Sequence, residues 1–202
     1  MADADVAGEN KQGGVAWAVT NVFAPQYVAF LAPVLTGGVA DGLTGALWGL
    51  GAAAVCVGVP AAVIGIGVRR GRLDSMHVVD RTSRKGPLLS GLAALVLGLA
   101  VLVVAGAPSV VKATVAVMLA CVAVMGAVTI RWKISFHTGV VAGTAVMLAH
   151  LLPPASTLTI GAAITALVSW ARVRVSHHTP AQTIAGATTG AALAWAVFTL
   201  LT

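Results

Sequence analysis

The sequence predicts an all-α, polytopic transmembrane helical bundle, and three observations carry that prediction. Of the 202 residues, 58% are hydrophobic and only 9% are charged, against roughly a quarter charged in soluble domains. Mean hydropathy is +0.97. Apolar runs of about 20 residues recur along the chain, the length at which a helix crosses a hydrocarbon core of about 30 Å.

The elements follow in order. Residues 1–14, "MADADVAGENKQGG", form a polar, acidic tail. The tail lacks the basic start and cleavage pattern of a signal peptide, and its composition predicts a disordered lead-in. Residues 15–202 form the transmembrane domain. Apolar segments run roughly over 15–36, 43–68, 88–106, 109–130, 138–152, 157–171 and 181–201, which gives six to seven spans. The first holds Pro25, Gln26 and Pro33 and is a candidate for a break or an interfacial stretch. "TGGVADG", "GAPS" and "LLPPAS" read as tight turns between antiparallel helices. Trp17, Trp48, Trp132, Trp170 and Trp195 fall near predicted span ends and suit interface anchoring. Gly45/Gly49, Gly139/Gly143 and Gly186/Gly190 have the small-xxx-small spacing that lets helices approach closely. Such pairs serve contacts between chains as well as within one, so a homo-oligomer stays open. Cys56 and Cys121 both lie in apolar runs and read as packing residues.

The hydrophilic residues are gathered. "RRGRLDSMHVVDRTSRKGP" follows the second segment, "RWKISFHT" the fourth and "RVRVSHHTP" the sixth. Alternating spans bring these three stretches to one membrane face, as a polar active-site mouth for an amphipathic, anionic ligand. The net charge of +6 does not suggest nucleic acid, because no basic helical stripe or set of stacking aromatics accompanies it. Arg69, Arg70 and Arg72 are placed to meet anionic head groups of membrane lipids. Of the 12 Lys and Arg residues, only Lys112 falls on the other face; with Arg81, Arg84, Lys133 and Arg172 set aside as site residues, the balance is still seven to one. The positive-inside rule then turns the mouth to the cytoplasm of a cell-membrane protein.

The chemistry lies in "ARVRVSHHTPAQ", residues 171–182. Arg172 is followed after five residues by His178 and after three more by Gln182. Thr179 suits a helix N-cap and Pro180 the first helical position, which sets His178 at a helix N-terminus, where backbone N–H groups favour an anion. Gln182, one turn on, is within reach of a nitrogen of the His178 ring. Lys133, Ser135 and His137 stand just before the fifth segment, again at a helix start. Arg81 and Arg84, three apart, offer guanidinium forks suited to phosphate oxygens. Two imidazoles, several cations and two helix N-termini suit phosphoryl transfer, with one imidazole attacking phosphorus and the other protonating the leaving oxygen. No carboxylate pair accompanies the histidines, and adjacent His177 and His178 are poorly arranged to share a metal.

These three stretches resemble the membrane-bound type 2 phosphatidic acid phosphatase family, related to vanadium haloperoxidases. "ISFH" (134–137) matches its P-S-G-H motif at Ser135 and His137. "ARVRVSHHTPAQ" matches S-R-x5-H-x3-D at Arg172 and His178. "DRTSRKGP" follows K-x6-R-P in outline, with His77 at the lysine position if Arg84 is the arginine. Gln182 stands where the family has aspartate and Ala171 where it has serine, a pattern similar to a subgroup in which glutamine is normal. The resemblance implies that His178 is the nucleophile, His137 the general acid, and Ser135, Arg84 and Arg172 the phosphate ligands. Lys133 and Arg81 join the binding set by position. It further implies an all-helical fold, no metal or other cofactor, and a lipid phosphate substrate such as a prenyl diphosphate, a prenyl phosphate or phosphatidate. Two alternatives stand beside hydrolysis: a non-hydrolytic prenyl-diphosphate-processing enzyme, and a catalytically silent protein that binds or transports a lipid phosphate.

Overall fold

A computed structural model of the chain describes residues 14–71 and 85–202, and among the described residues every regular element is a helix. A short α1 (Val15–Val22) leads into α2 (Pro25–Ala53). The predicted first segment is thus broken, but at Phe23–Ala24, just ahead of Pro25. Proline at a first helical position fits its fixed φ and missing N–H, and Pro33 passes inside the helix.

α2 is two antiparallel limbs, 25–40 and 43–53, folded at Asp41 (φ −128°) and Gly42 (φ 60°, ψ −142°). The predicted turn "TGGVADG" therefore shrinks to its last two residues, and Gly37 and Gly38 are helical. Gly37 has a packing role. A Cβ at Gly37 or at Gly45 would run into the carbonyl of the other, and one at Gly49 into the carbonyl of Pro33. The second limb continues through a π-turn (Ala54–Gly58) into α3 (Val59–Arg69), making one rod over 43–69. Pro60 has no N–H to give the Cys56 carbonyl, which accounts for a widened turn at this point.

α4 (Lys85–Val104), α5 (Ser109–Arg131), α6 (Phe136–Leu151), α7 (Pro154–Arg174) and α8 (Pro180–Leu201) complete the bundle. α4 ends on Gly106 at φ 71°, with Ala107 N–H bonded to Leu102 C=O at 2.9 Å, and Pro108 follows. That is a Schellman stop with glycine in the left-handed position.

Among the described residues, four helical stretches are long and apolar enough to cross a membrane: Pro25–Arg69, Ser109–Arg131, Pro154–Arg174 and Pro180–Leu201. Leu88–Val104 and Phe136–Leu151 are shorter apolar helices. The outer surface is apolar as well, with Leu43, Val104 and Leu200 more than three-quarters exposed. An exterior of this kind belongs in lipid, since soluble monomers keep apolar patches small.

Close packing comes from small residues. α6 and α8 cross where Gly139 and Gly143 face Gly186 and Gly190; a Cβ at Gly190 would meet the Gly139 carbonyl. All three predicted glycine pairs are used within the chain. Polar contacts add specificity. The Thr36 and Thr114 hydroxyls lie 2.8 Å apart between α2 and α5, and each is also 2.9 Å from the carbonyl four residues before it. A double-mutant cycle of Thr36→Val and Thr114→Val is expected to give a coupling of about 0.6 kcal/mol, the usual worth of an interhelical hydrogen bond in a membrane, read from thermal unfolding. At the end of the bundle near Leu151, His150 bonds the Thr199 hydroxyl at 2.9 Å and packs edge-on against Phe198, so this histidine joins α6 to α8.

Candidate functional site

The site grows out of two helix starts and one helix end. α7 runs to Arg174, and Ser176 then takes a left-handed φ of 59°. The Ser176 N–H bonds Val173 C=O at 2.9 Å, and the His177 N–H bonds Arg172 C=O at 3.1 Å. This too is a Schellman stop, but with serine where glycine is favoured, at a cost on the order of 1–2 kcal/mol. The His178 N–H also turns back to Arg172 C=O, at 3.2 Å. The five-residue interval between Arg172 and His178 is thus a last helical turn plus a reversal. It folds the two back on each other. No local sequence signal announces a serine at positive φ, and this turn is the part of the site that sequence reading missed.

α8 starts immediately afterwards. Thr179 is its N-cap and Pro180 its first residue, with a reciprocal capping box to Gln182. The Gln182 side-chain oxygen accepts from Thr179 N–H at 3.2 Å and lies 3.1 Å from His178 Nδ1. The backbone donor fixes the amide orientation, because only the oxygen can accept from an N–H. His178 Nδ1 must then carry the proton, and the lone pair of the neutral ring sits on Nε2. This is the reach-back that the spacing of Gln182 suggests.

α6 starts at Phe136, capped by Ser135, whose hydroxyl accepts from Thr138 N–H at 3.5 Å. His137 is the second residue of that helix. Two hydrogen bonds join the two helix starts: Ser135 N–H to Gln182 C=O at 3.2 Å, and the Thr138 hydroxyl to Thr183 C=O at 2.8 Å. Thr183 in turn accepts from the Ser169 hydroxyl at 2.7 Å, tying in α7. A Cβ at Gly186 would strike the Ser135 carbonyl, so glycine is what allows this approach.

His137 (3% exposed), Arg172 (2%) and His178 (7%) are all buried, and all three line one cavity of about 220 Å³. Phe136 and Val140 of α6 line it too, with Pro25 and Gln26 of α2 and apolar residues of the rod, α4 and α5. The end of the cavity that holds two imidazoles and a guanidinium lies beside two helix starts, since His137 is in the first turn of α6 and His178 immediately precedes the cap of α8. That end favours an anion, while the remaining wall favours hydrocarbon.

The other sequence-predicted residues are distributed as follows. Ser135 is fully buried behind the cavity as a cap, and Gln182 stands behind His178. Lys133 is half-buried in the segment leading to Ser135 and is not part of the cavity wall. Arg81 and Arg84, with the whole "DRTSRKGP" stretch up to Arg84, lie outside the described residues, as does the predicted tail up to residue 13. His177 turns to α1, with its ring edge-on to Trp17 at 5.7 Å. Among the described residues, no three His, Cys, Asp or Glu side chains gather where they would hold a metal ion.

No protein-family model, curated protein or solved structure matches the chain.

Proposed function

We propose that the chain is an integral-membrane phosphatase that hydrolyses a lipid phosphate or diphosphate through a phosphohistidine on His178. The observation that carries this reading is the meeting of His137, Arg172 and His178 around one cavity, with Nε2 of His178 left as the basic nitrogen by the Gln182 contact.

The steps balance as follows. His178 Nε2 attacks phosphorus and a P–N bond forms as the P–O bond to the lipid breaks. His137, entering as imidazolium, gives its proton to the departing oxygen, which leaves as an alcohol from a monoester or as a lipid monophosphate from a diphosphate. Arg172 and the N-termini of α6 and α8 hold the charge on the equatorial oxygens, joined in this reading by Ser135, Arg84, Arg81 and Lys133. Neutral His137 then takes a proton from water as its oxygen attacks phosphorus. The P–N bond breaks, and inorganic phosphate and free His178 result. Of the residues that the family resemblance assigns to phosphate binding and catalysis, Ser135, His137, Arg172 and His178 fall in the two helix starts and the reversal described above.

In this reading the chain crosses the membrane seven times, with the limb 25–40 and the rod 43–69 counted separately. The charge balance of seven to one turns the site to the cytoplasm. Labelling of a cysteine introduced at Arg70 by a membrane-impermeant reagent should fail in intact cells and succeed after permeabilisation; the reverse would invert the topology.

Gln182 gives the first kinetic test. An aspartate-to-asparagine change in a serine-protease triad costs about 10⁴ in turnover because the wrong tautomer results. Here the Thr179 N–H holds the amide oxygen toward His178, so the right tautomer is kept. Gln182→Ala is expected to lower kcat on the order of 10²–10³-fold with little change in KM, since it removes an orienting group and not a substrate contact. Gln182→Glu keeps the acceptor and adds a charge that stabilises the protonated ring, and should match or exceed the parent. Phosphate release from prenyl and diacylglycerol phosphates with EDTA present is the measurement. An unchanged kcat in Gln182→Ala would remove the tautomer argument.

A further inference from the structure

We infer that Gln26, which belongs to none of the three polar stretches, is a ligand of the phosphate head, its side-chain amide donating to a phosphoryl oxygen. The anion itself is taken from the phosphatase reading above. The place of Gln26 in the cavity wall is independent of it.

Most of the cavity wall is apolar. Its strong hydrogen-bonding side chains are His137, Arg172 and His178, and one more from a different helix, Gln26 of α2. Gln26 is the second residue of α2 and belongs to the apolar stretch Pro25–Arg69 that is long enough to cross a membrane. A polar side chain is costly there unless something takes its hydrogen bonds. Among the described residues its amide has no hydrogen-bond partner. The next residue, Tyr27, is 58% exposed and is not part of the cavity wall. The helix thus presents the amide inward and the phenol outward.

α2 enters the bundle at the end where the site lies. Thr36 meets Thr114 at 2.8 Å, and Thr114 is in the second turn of α5, whose far end leads to Ser135 and His137. Gln26 precedes Thr36 by ten residues, which places it about 15 Å back toward that far end. Helical side chains lean toward the N-terminus of their own helix, so the amide extends in the same direction.

An amide carries two N–H donors and a carbonyl acceptor. Beside an anion the donors are used, and a neutral donor adds a hydrogen bond without bringing in another charge that must be desolvated. A hydrogen bond to a charged acceptor is worth roughly 10–100-fold in affinity. Substrate and product phosphate both receive it, so it acts on KM and on inhibition by phosphate, with little effect on kcat. A role confined to the start of α2 predicts a different pattern. Negative charge in a first helical turn is favoured by the helix dipole, so Gln26→Glu should leave the fold as stable as before or more so. Against a phosphate the same carboxylate removes the donors and repels the ligand.

The test uses the full chain in lipid nanodiscs with dodecyl phosphate, inorganic phosphate and, as a tail-only probe, dodecanol. Gln26→Met keeps the length of the side chain and its helix propensity. It should raise KM for dodecyl phosphate and the inhibition constant of inorganic phosphate together, roughly 10–100-fold, with kcat nearly parental. Gln26→Glu should lose more on both while its unliganded unfolding midpoint holds or rises. Dodecanol should bind all three proteins equally, and Tyr27→Phe should match the parent throughout. Parental constants in both Gln26 variants would overturn the contact and leave the hydrolytic reading standing. Should the parent release no phosphate, the hydrolytic reading falls and the contact is judged by calorimetric affinity for the same ligands. Weakening of both phosphates in both variants sustains it. Parental affinity, weakening confined to one phosphate or shared by dodecanol, or a parent that binds neither phosphate overturns it.

Discussion

Replacing His178 with alanine is expected to abolish phosphate release from every substrate the protein accepts. Loss of a covalent nucleophile in a serine hydrolase costs about 10⁶ in turnover. Arg172 and the two helix starts would remain, so the variant should still bind phosphate esters with nearly the parental affinity. His137→Ala should behave differently. General acid catalysis contributes about 10²–10⁴ where the leaving group is a poor one, such as a lipid alkoxide. With p-nitrophenyl phosphate the leaving oxygen needs little protonation, and formation of the phosphoenzyme should be nearly spared. Rapid quenching with radiolabelled substrate would then trap phosphohistidine in His137→Ala and none in His178→Ala. Turnover retained by His178→Ala would remove the covalent step.

The second large effect concerns a residue with no chemistry. Gly186→Leu should dismantle the site. A Cβ at 186 falls on the Ser135 carbonyl and within 2.6 Å of the Thr138 hydroxyl, and both are backbone-anchored parts of the α6 cap. Overpacking of a flexible core costs about 1–3 kcal/mol; here the obstacle is main chain, so the cost should lie at or above the upper end. Any relief separates the start of α6 from α8 and carries His137 away from His178. A displacement of about 1 Å is enough to cost on the order of 10²-fold in rate. Gly65→Ala is the control, since among the described residues a Cβ there meets nothing within 4 Å. It should be neutral or slightly stabilising, because alanine is the better helix former by up to about 1 kcal/mol. Thermal unfolding and kcat measured side by side would separate the two. A Gly186→Leu protein with the parental midpoint and rate would show that α6 and α8 do not need their close crossing.

Most of the helical architecture was legible because hydrophobic run length and proline position report directly on local structure. Thr179, Pro180 and Gln182 together spell a helix start, and α8 begins there with a capping box. The glycine pairs were legible as packing signals, although the sequence left open whether their partners lay in the same chain. Less legible was anything that depends on backbone strain or on a partner far along the chain. Nothing near Ser176 distinguishes it from an ordinary loop serine; its positive φ follows from the need to return His178 over Arg172. The contact of Gly98 with Cys56 needs two helices to be in register, and no spacing rule supplies that. The reading of 36–42 as a loop erred because glycines there mark a helix crossing, and only Gly42 needs a backbone conformation that other residues avoid.

The hydrogen bond from Ser135 to the Gln182 carbonyl has a consequence for biogenesis. His137 leaves the ribosome some 40 residues ahead of its counterpart, and its helix start has nothing to lock onto until α8 is inserted. On the phosphatase reading, a nascent chain holding every helix up to α7 would be membrane-anchored yet inert toward surrounding esters. Activity would then switch on in one event, when the last helix slots against α6, and a chain truncated ahead of α8 would be an innocuous remnant.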